Sequence, residues 1–211
     1  MKSLVICLTV LLPLGASAAT TLTGNWTVNT SIPDYNDTGY SDTRNFASSG
    51  ITEIETVSVS LNFSNGWNGD LYVYLVHNSS ISILLNRPGR SLSNPDGASS
   101  SGMTINLTDL AAADVHTALP FSGSPTGTFQ PDGRITDPYD TLDTDARPAK
   151  LSVFNGQAAD GNWTLFVADQ ASGETSTLTS WSLSITGVPE PGTGLLGVLG
   201  SLVLLRRKRC G

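Results

Sequence analysis

The stretch Gly161–Ile185, GNWTLFVADQASGETSTLTSWSLSI, leaves this chain few folds other than a layered β-protein. Trp163, Leu165 and Val167 alternate with Thr164, Phe166 and Ala168, the period of a strand buried on at least one face. A polar connection containing Gly173 follows. Trp181, Leu183 and Ile185 then share one face of a second strand, with Ser180, Ser182 and Ser184 on the other. The spacing predicts a hairpin of two Trp-bearing strands with one wet face. A lone hairpin is marginal in water, so a second sheet has to cover its apolar side.

The rest of the chain supplies that sheet. Leu22–Val28 reads as a first strand, and Asn29–Gly50 as polar and turn-rich. Val57, Val59, Leu61 and Phe63 alternate with Ser58, Ser60 and Asn62. Leu71, Val73 and Leu75 oppose Tyr72, Tyr74 and Val76, which predicts a central strand covered on both sides. Ile81, Ile83 and Leu85 mark the next strand, and Met103, Ile105 and Leu107 another. Ala111–Ala118 is the one segment of the body with a helical look. Phe121–Arg147 reads as a long loop carrying Asp132, Asp137, Asp140, Asp143 and Asp145. About eight short strands at this spacing predict an all-β, antiparallel, jelly-roll-like β-sandwich over residues 19–187.

Charge narrows the partners. Between Ala19 and Gly187 six basic residues face seventeen acidic ones, a net of −11. Nucleic acid is excluded on sign, because phosphate contacts need cations. Affinity for cations, or solubility outside a cell, suits the balance better. Cys7 and Cys210 fall in the terminal segments, so the body has no disulfide.

Both termini read as targeting segments. Residues 1–18 have a basic start at Lys2, an apolar run Leu4–Leu14 and the small residues Ala16 and Ala18 at a cleavage site, the pattern of a secretory signal peptide. Residues 188–211 begin with Val188-Pro189-Glu190-Pro191. The uncharged run Gly192–Leu205 follows, then Arg206, Arg207, Lys208 and Arg209. The run is short for a span, but the basic end holds a C-terminus on the cytoplasmic side. The parts together resemble the PEP-CTERM sorting signal. That resemblance implies a short C-terminal transmembrane helix, handling by the export machinery and an exosortase-type membrane peptidase, and an exported location at the cell envelope, at the surface or outside the cell.

A second resemblance lies in the body. G-x-W-x-L-x-V-x-D at Gly161–Asp169 and L-x-x-W-x-L-x-I at Leu178–Ile185 resemble the end of the P domain, also called Homo B. This is the galactose-binding-like β-sandwich that follows the protease domain in proprotein convertases. SIPD at Ser31–Asp34 and NGDLYVYL at Asn68–Leu75 fit the same family. The resemblance spans Asn29–Gly187 and implies a module without catalytic residues of its own, since those belong to the separate protease domain. It also implies calcium, with Asp34, Asp70 and Asp169 as the metal ligands. Where the family has an acidic residue before its last strand, this chain shows Ser172-Gly173-Glu174.

The residues themselves weigh the same way. Asp70 opens a central strand and Asp169 closes another. In antiparallel neighbours those positions share an edge, where two carboxylates repel and a divalent cation offsets the repulsion. The alternative is that each carboxylate caps its own turn. His77 and His116 are the two bases available to a Ser-His-Asp hydrolase; neither has a Gly-x-Ser-x-Gly beside it, and a surface histidine is the expectation at both. Paired Asp70 and Asp169 acting on a glycosidic bond is a further option. The 132–145 acidic run lacks EF-hand spacing and reads as a solvated loop or a second cation site. Trp67, Tyr35, Tyr40 and Tyr139 are loop aromatics that could stack on sugars, while Trp163 and Trp181 read as core. The functional expectation is a non-catalytic surface or matrix module for interaction or support, partnered by surface proteins or extracellular polysaccharide. A carbohydrate-binding module of an exopolysaccharide matrix is the alternative, and an accessory domain to a separate serine protease is the third.

Overall fold

The computed structural model describes residues 18–120 and 122–189. Nine strands form two sheets: β1 (Thr20–Ser31), β2 (Asn36–Phe46), β3 (Ile51–Trp67), β4 (Leu71–His77), β5 (Ser80–Asn86), β6 (Ser101–Thr108), β7 (Thr126–Phe129), β8 (Gly161–Asp169) and β9 (Thr177–Pro189). The five-stranded sheet has the order β1-β9-β3-β6-β7, and the four-stranded sheet the order β2-β8-β4-β5. Among the described residues helix is confined to α1 (Val115–Ala118) and to 3-10 turns at Asn68–Asp70 and Leu151–Phe154. Among the described residues no helix is long and apolar enough to cross a membrane. The signal peptide with its Ala16, and the Glu190, Pro191 and Arg206–Arg209 parts of the sorting signal, lie outside the described residues. Ala18 precedes β1, and Pro189 closes β9.

The all-β sandwich agrees with the sequence, but three details do not. First, β8 and β9 are not a hairpin. β8 lies between β2 and β4 in one sheet, and β9 between β1 and β3 in the other. Each strand has a strong apolar face, and alternation reports that face without naming the neighbour that pairs with its edge. Placing the two in opposite sheets lets each help cover the other across the core, where Trp163 and Trp181 are both fully buried.

Second, the sandwich is not wholly antiparallel: β7 runs parallel to β6, with Thr104 opposite Thr126 and Leu107 opposite Phe129. A parallel return needs a crossover of a dozen or more residues, and residues 109–125, which include α1, provide it. Third, Asn36–Phe46 is a strand where the sequence reads as turns. Its inner face carries Tyr40, Asp42, Arg44 and Phe46, so polar residues interrupt the apolar alternation by which a strand is read.

The core lies between the sheets and is built from the alternating positions already named. Val57, Val59, Leu61 and Phe63 of β3, Leu71, Val73 and Leu75 of β4, and Leu165 and Val167 of β8 are all buried. One polar group crosses it. Asp42 of β2 accepts a hydrogen bond from the Trp181 indole at 2.7 Å and pairs with Arg44 at 2.8 Å. The Arg44 guanidinium in turn lies 5.4 Å from the Trp26 ring centroid.

Candidate functional site: a buried carboxylate pair

Three connections between the sheets meet at one end of the sandwich: β1 to β2 through residues 32–35, β3 to β4 through Asn68–Asp70, and β8 to β9 through residues 170–176. Backbone hydrogen bonds tie them together, from Ile32 N–H to Ser176 O at 2.8 Å and from Gln170 N–H to Asp70 O at 2.8 Å. Asp34 lies on the first connection and Asp70 on the second, while Asp169 closes β8 just before the third. β4 and β8 are antiparallel with Leu71 opposite Asp169, so Asp70 and Asp169 do share a sheet edge. Asp34 sits on the first connection, exposed, and its carboxylate accepts from the Gly173 N–H at 3.2 Å.

Asp70 and Asp169 are 1% and 0% exposed. Asp169 Oδ1 accepts from the Ala171 N–H at 3.2 Å, and Asp70 Oδ1 lies 3.8 Å from the Arg87 guanidinium. The Oδ2 atom of each is buried without a hydrogen-bond partner, and so is Oδ1 of Asn68 in the same turn. Burial drives the Asp70 carboxyl up to about 6 despite the nearby Arg87 charge, with Asp34 and Asp96 adding to the rise. Burial likewise drives Asp169 up to about 7 against the Ala171 hydrogen bond, with Asp70 and Asp34 contributing. A buried acceptor left unpaired costs on the order of 1–3 kcal/mol. Three such oxygens around two raised carboxyls form an arrangement that a proton or a cation would relieve.

The fit to calcium rests on those unpartnered oxygens, which are the hard donors the ion prefers. Among the described residues no three His, Cys, Asp or Glu side chains gather as a metal-binding group. A calcium shell here would therefore need Asn68 Oδ1, main-chain carbonyls and water beside the two aspartates. Sequence reasoning missed Asn68, Arg87 and Gln170. Asn68 had a signal in the NGD turn; Arg87 and Gln170 are placed by topology alone. Close packing fixes the turn, because a Cβ at Gly69 would meet the Ala98 nitrogen at 2.5 Å and the Asp96 carbonyl oxygen at 2.7 Å.

The two histidines are buried, not on the surface. His77 is stacked on Trp163 with centroids 3.9 Å apart, and its ring nitrogens lie 3.0 Å from Asn162 O and 2.8 Å from Ala158 O. His116 lies between Asp132 Oδ2 and Arg90 O, each at 2.8 Å. With the Asn78 carboxamide nitrogen 3.1 Å from His77 Nε2, these partners are carbonyls, an amide and a carboxylate, not the hydroxyl or thiol that nucleophilic catalysis needs. Asp132 is also not part of a solvated loop: it is 0% exposed and pairs with Arg134 at 3.1 Å, which pairs with Asp114 at 2.9 Å. Of the aromatics expected in loops, Tyr35 and Tyr139 are in loops and exposed, Trp67 is exposed but ends β3, and Tyr40 lies in β2 and packs against the core.

No curated protein matches the chain in sequence. Among solved structures it is similar to a serine protease of Aeromonas sobria. In that protease's complex with the chaperone the identity is 19% and the TM-score 0.47, over 82% of this chain and 28% of that one. In the protease crystallised without it the values are 18% and 0.46, over 83% and 28%. This chain thus spans just over a quarter of those chains. The sequence model of the proprotein convertase P-domain matches residues 124–185, from just before β7 through β8 into β9, and so includes Asp169 but not the Asp34 and Asp70 blocks.

Proposed function

We propose that this chain is an exported, non-catalytic module of the cell envelope or extracellular matrix, serving interaction or support, whose body holds calcium at the Asp70–Asp169 rim. The observation that carries the reading is the pair of carboxylates at one sheet edge, each with a buried oxygen lacking a partner. A bound calcium ion would supply the positive charge that offsets their repulsion. Asp70 and Asp169 would hold it, with Asn68 Oδ1 in reach of the same turn and Asp34 adding charge from the first connection. The P-domain match supports an accessory module, since in convertases that domain is separate from the protease domain. The same likeness favours, as a further reading, an accessory role beside a separate serine protease. Export, sorting at Pro189-Glu190-Pro191 and processing by an exosortase rest on the terminal sequences alone.

Thermal unfolding of the purified chain with calcium and with chelator tests the metal. An ion that binds only the folded state stabilises it by about 2.7 kcal/mol at one hundred times its Kd, so the midpoint should climb with calcium concentration. Coincident curves at millimolar calcium, or a calcium-induced rise that survives Asp70→Asn, would sink the assignment. For export, mass spectrometry of material outside the cell should find no peptide containing Arg206–Arg209.

A further inference from the structure

Beside the rim, on the outer face of the four-stranded sheet, lies a cleft of about 250 Å³. We propose that it binds an arginine side chain presented by a partner polypeptide. This rests on the reading of the body as an interaction module and names the chemistry of its partner.

The cleft is smaller than the roughly 300–1,000 Å³ of sites that enclose small molecules, and is on the scale of a single side chain. Its floor is aromatic. Tyr74 and Phe166 are cross-strand partners on β4 and β8, stacked with centroids 4.5 Å apart and 16° between planes, and Tyr72 meets Tyr74 edge-on at 5.6 Å. Its rim is anionic. Asp37 of β2 and Asp137 of the loop after β7 both line it and both are exposed. Tyr139 joins them, since its hydroxyl donates to Asp37 Oδ1 at 3.3 Å and its N–H donates to Asp137 Oδ1 at 2.9 Å.

Neither carboxylate forms an ion pair among the described residues, and no Lys or Arg lines the cleft. Arg90 holds the wall from behind, donating to the main-chain carbonyls of Thr141 at 2.6 Å and of Tyr139. Gln170 is the second, independent sign of a ligand. It lines the cleft, is 4% exposed, and its carboxamide makes no hydrogen bond among the described residues, while its N–H donates to Asp70 O.

Ring faces and two carboxylates all attract positive hydrogen-bond donors. A guanidinium is planar, stacks on rings and spreads five N–H donors over a fork that suits carboxylates. Lysine matches the charge without the plane. A neutral sugar could use the rings but would leave both carboxylates uncompensated in a body of net charge −11 between Ala19 and Gly187.

The test is titration of the full chain with acetyl-Gly-Arg-Gly-amide, followed by tyrosine fluorescence and NMR shifts. Its comparison probes are the citrulline and lysine analogues and the neutral oligosaccharide maltotetraose. Arginine should bind at least tenfold more tightly than citrulline. Asp37→Asn and Asp137→Asn should each weaken it at least threefold, and Tyr139→Ala gives an independent handle on the same wall. Equal affinity for arginine and citrulline, or unchanged binding in the double Asp→Asn variant, overturns the proposal. Binding of maltotetraose alone also overturns it, yet leaves an interaction module standing. If none of the probes binds while calcium still raises the unfolding midpoint, the arginine site fails and the metal reading does not.

Discussion

Asp42 shows how much a single side chain can carry in this sandwich. Its carboxylate joins the two sheets by accepting from the Trp181 indole while holding Arg44 near the Trp26 ring. Removing it strands a buried N–H, so Asp42→Ala should cost about 1–3 kcal/mol in urea unfolding, and Asp42→Asn, which keeps an acceptor, should cost less. His116 is the second such residue. Both ring nitrogens face acceptors, Asp132 and the Arg90 carbonyl, so both donate only when the ring is charged. Burial opposes that charge, but the Asp132 bond and its negative field win, and the His116 pKa is raised from its ordinary 6.5. A raised histidine stabilises the fold fully below the unfolded value, and that contribution is lost as pH climbs through the folded one. His116→Gln should therefore remove part of the loss of stability above pH 6.5, measured as the slope of the unfolding midpoint against pH. Neither role was legible beforehand: Asp42 sat in a stretch read as turns, and His116 beside alanines that gave no sign of burial.

Among the elements, those with the strongest alternation were the ones the sequence showed best. β3, β4, β6 and the Trp-bearing β8 and β9 announced themselves because each must bury one face. β2 and β7 did not, since NDTGYSDTRNF and TGTF carry no run of alternating apolar residues, unlike the edge strands β1 and β5. What periodicity could not supply was pairing, so β8 and β9 read as one hairpin while belonging to two sheets. The site shares this division. Asp70 and Asp169 were legible from their strand ends; Gln170 and Arg87 depend on how three connections converge. The 3-10 turn Asn68–Asp70 is the element that aims Asp70, and Gly69 is packed against the 96–98 backbone without room for a side chain. Gly69→Ala should therefore destabilise the fold and reduce the calcium-induced rise in the midpoint together. Asp70→Asn should abolish that rise while leaving the chelated protein at least as stable.

At the scale of the whole molecule, acidity and stability are linked through the rim. The unfolded Asp70 and Asp169 titrate near 3.8, the folded ones at about 6 and about 7. Their contribution is complete below pH 4, falls as pH rises through that window, and is gone above about 7. In chelator the unfolding midpoint should decline from pH 5 to 8. Millimolar calcium should flatten that decline, because proton and cation compete for the same oxygens; parallel profiles would show that they do not.

The strand pairing also has a mechanical meaning. β1 and β9 run antiparallel from Thr20 opposite Gly187 to Ser31 opposite Thr177, so the outer ends of both strands emerge side by side, away from the carboxylate rim. A load applied between those two ends opens the β1–β9 seam as a zipper, one residue pair at a time, and needs little force. A load between the outer end of β9 and something gripped at the rim is drawn along the strand, and its pairs with β1 and β3 must yield together. A body tethered through the outer end of β9 and pulled through its rim is thus held in shear, the direction in which a β-sheet is strong.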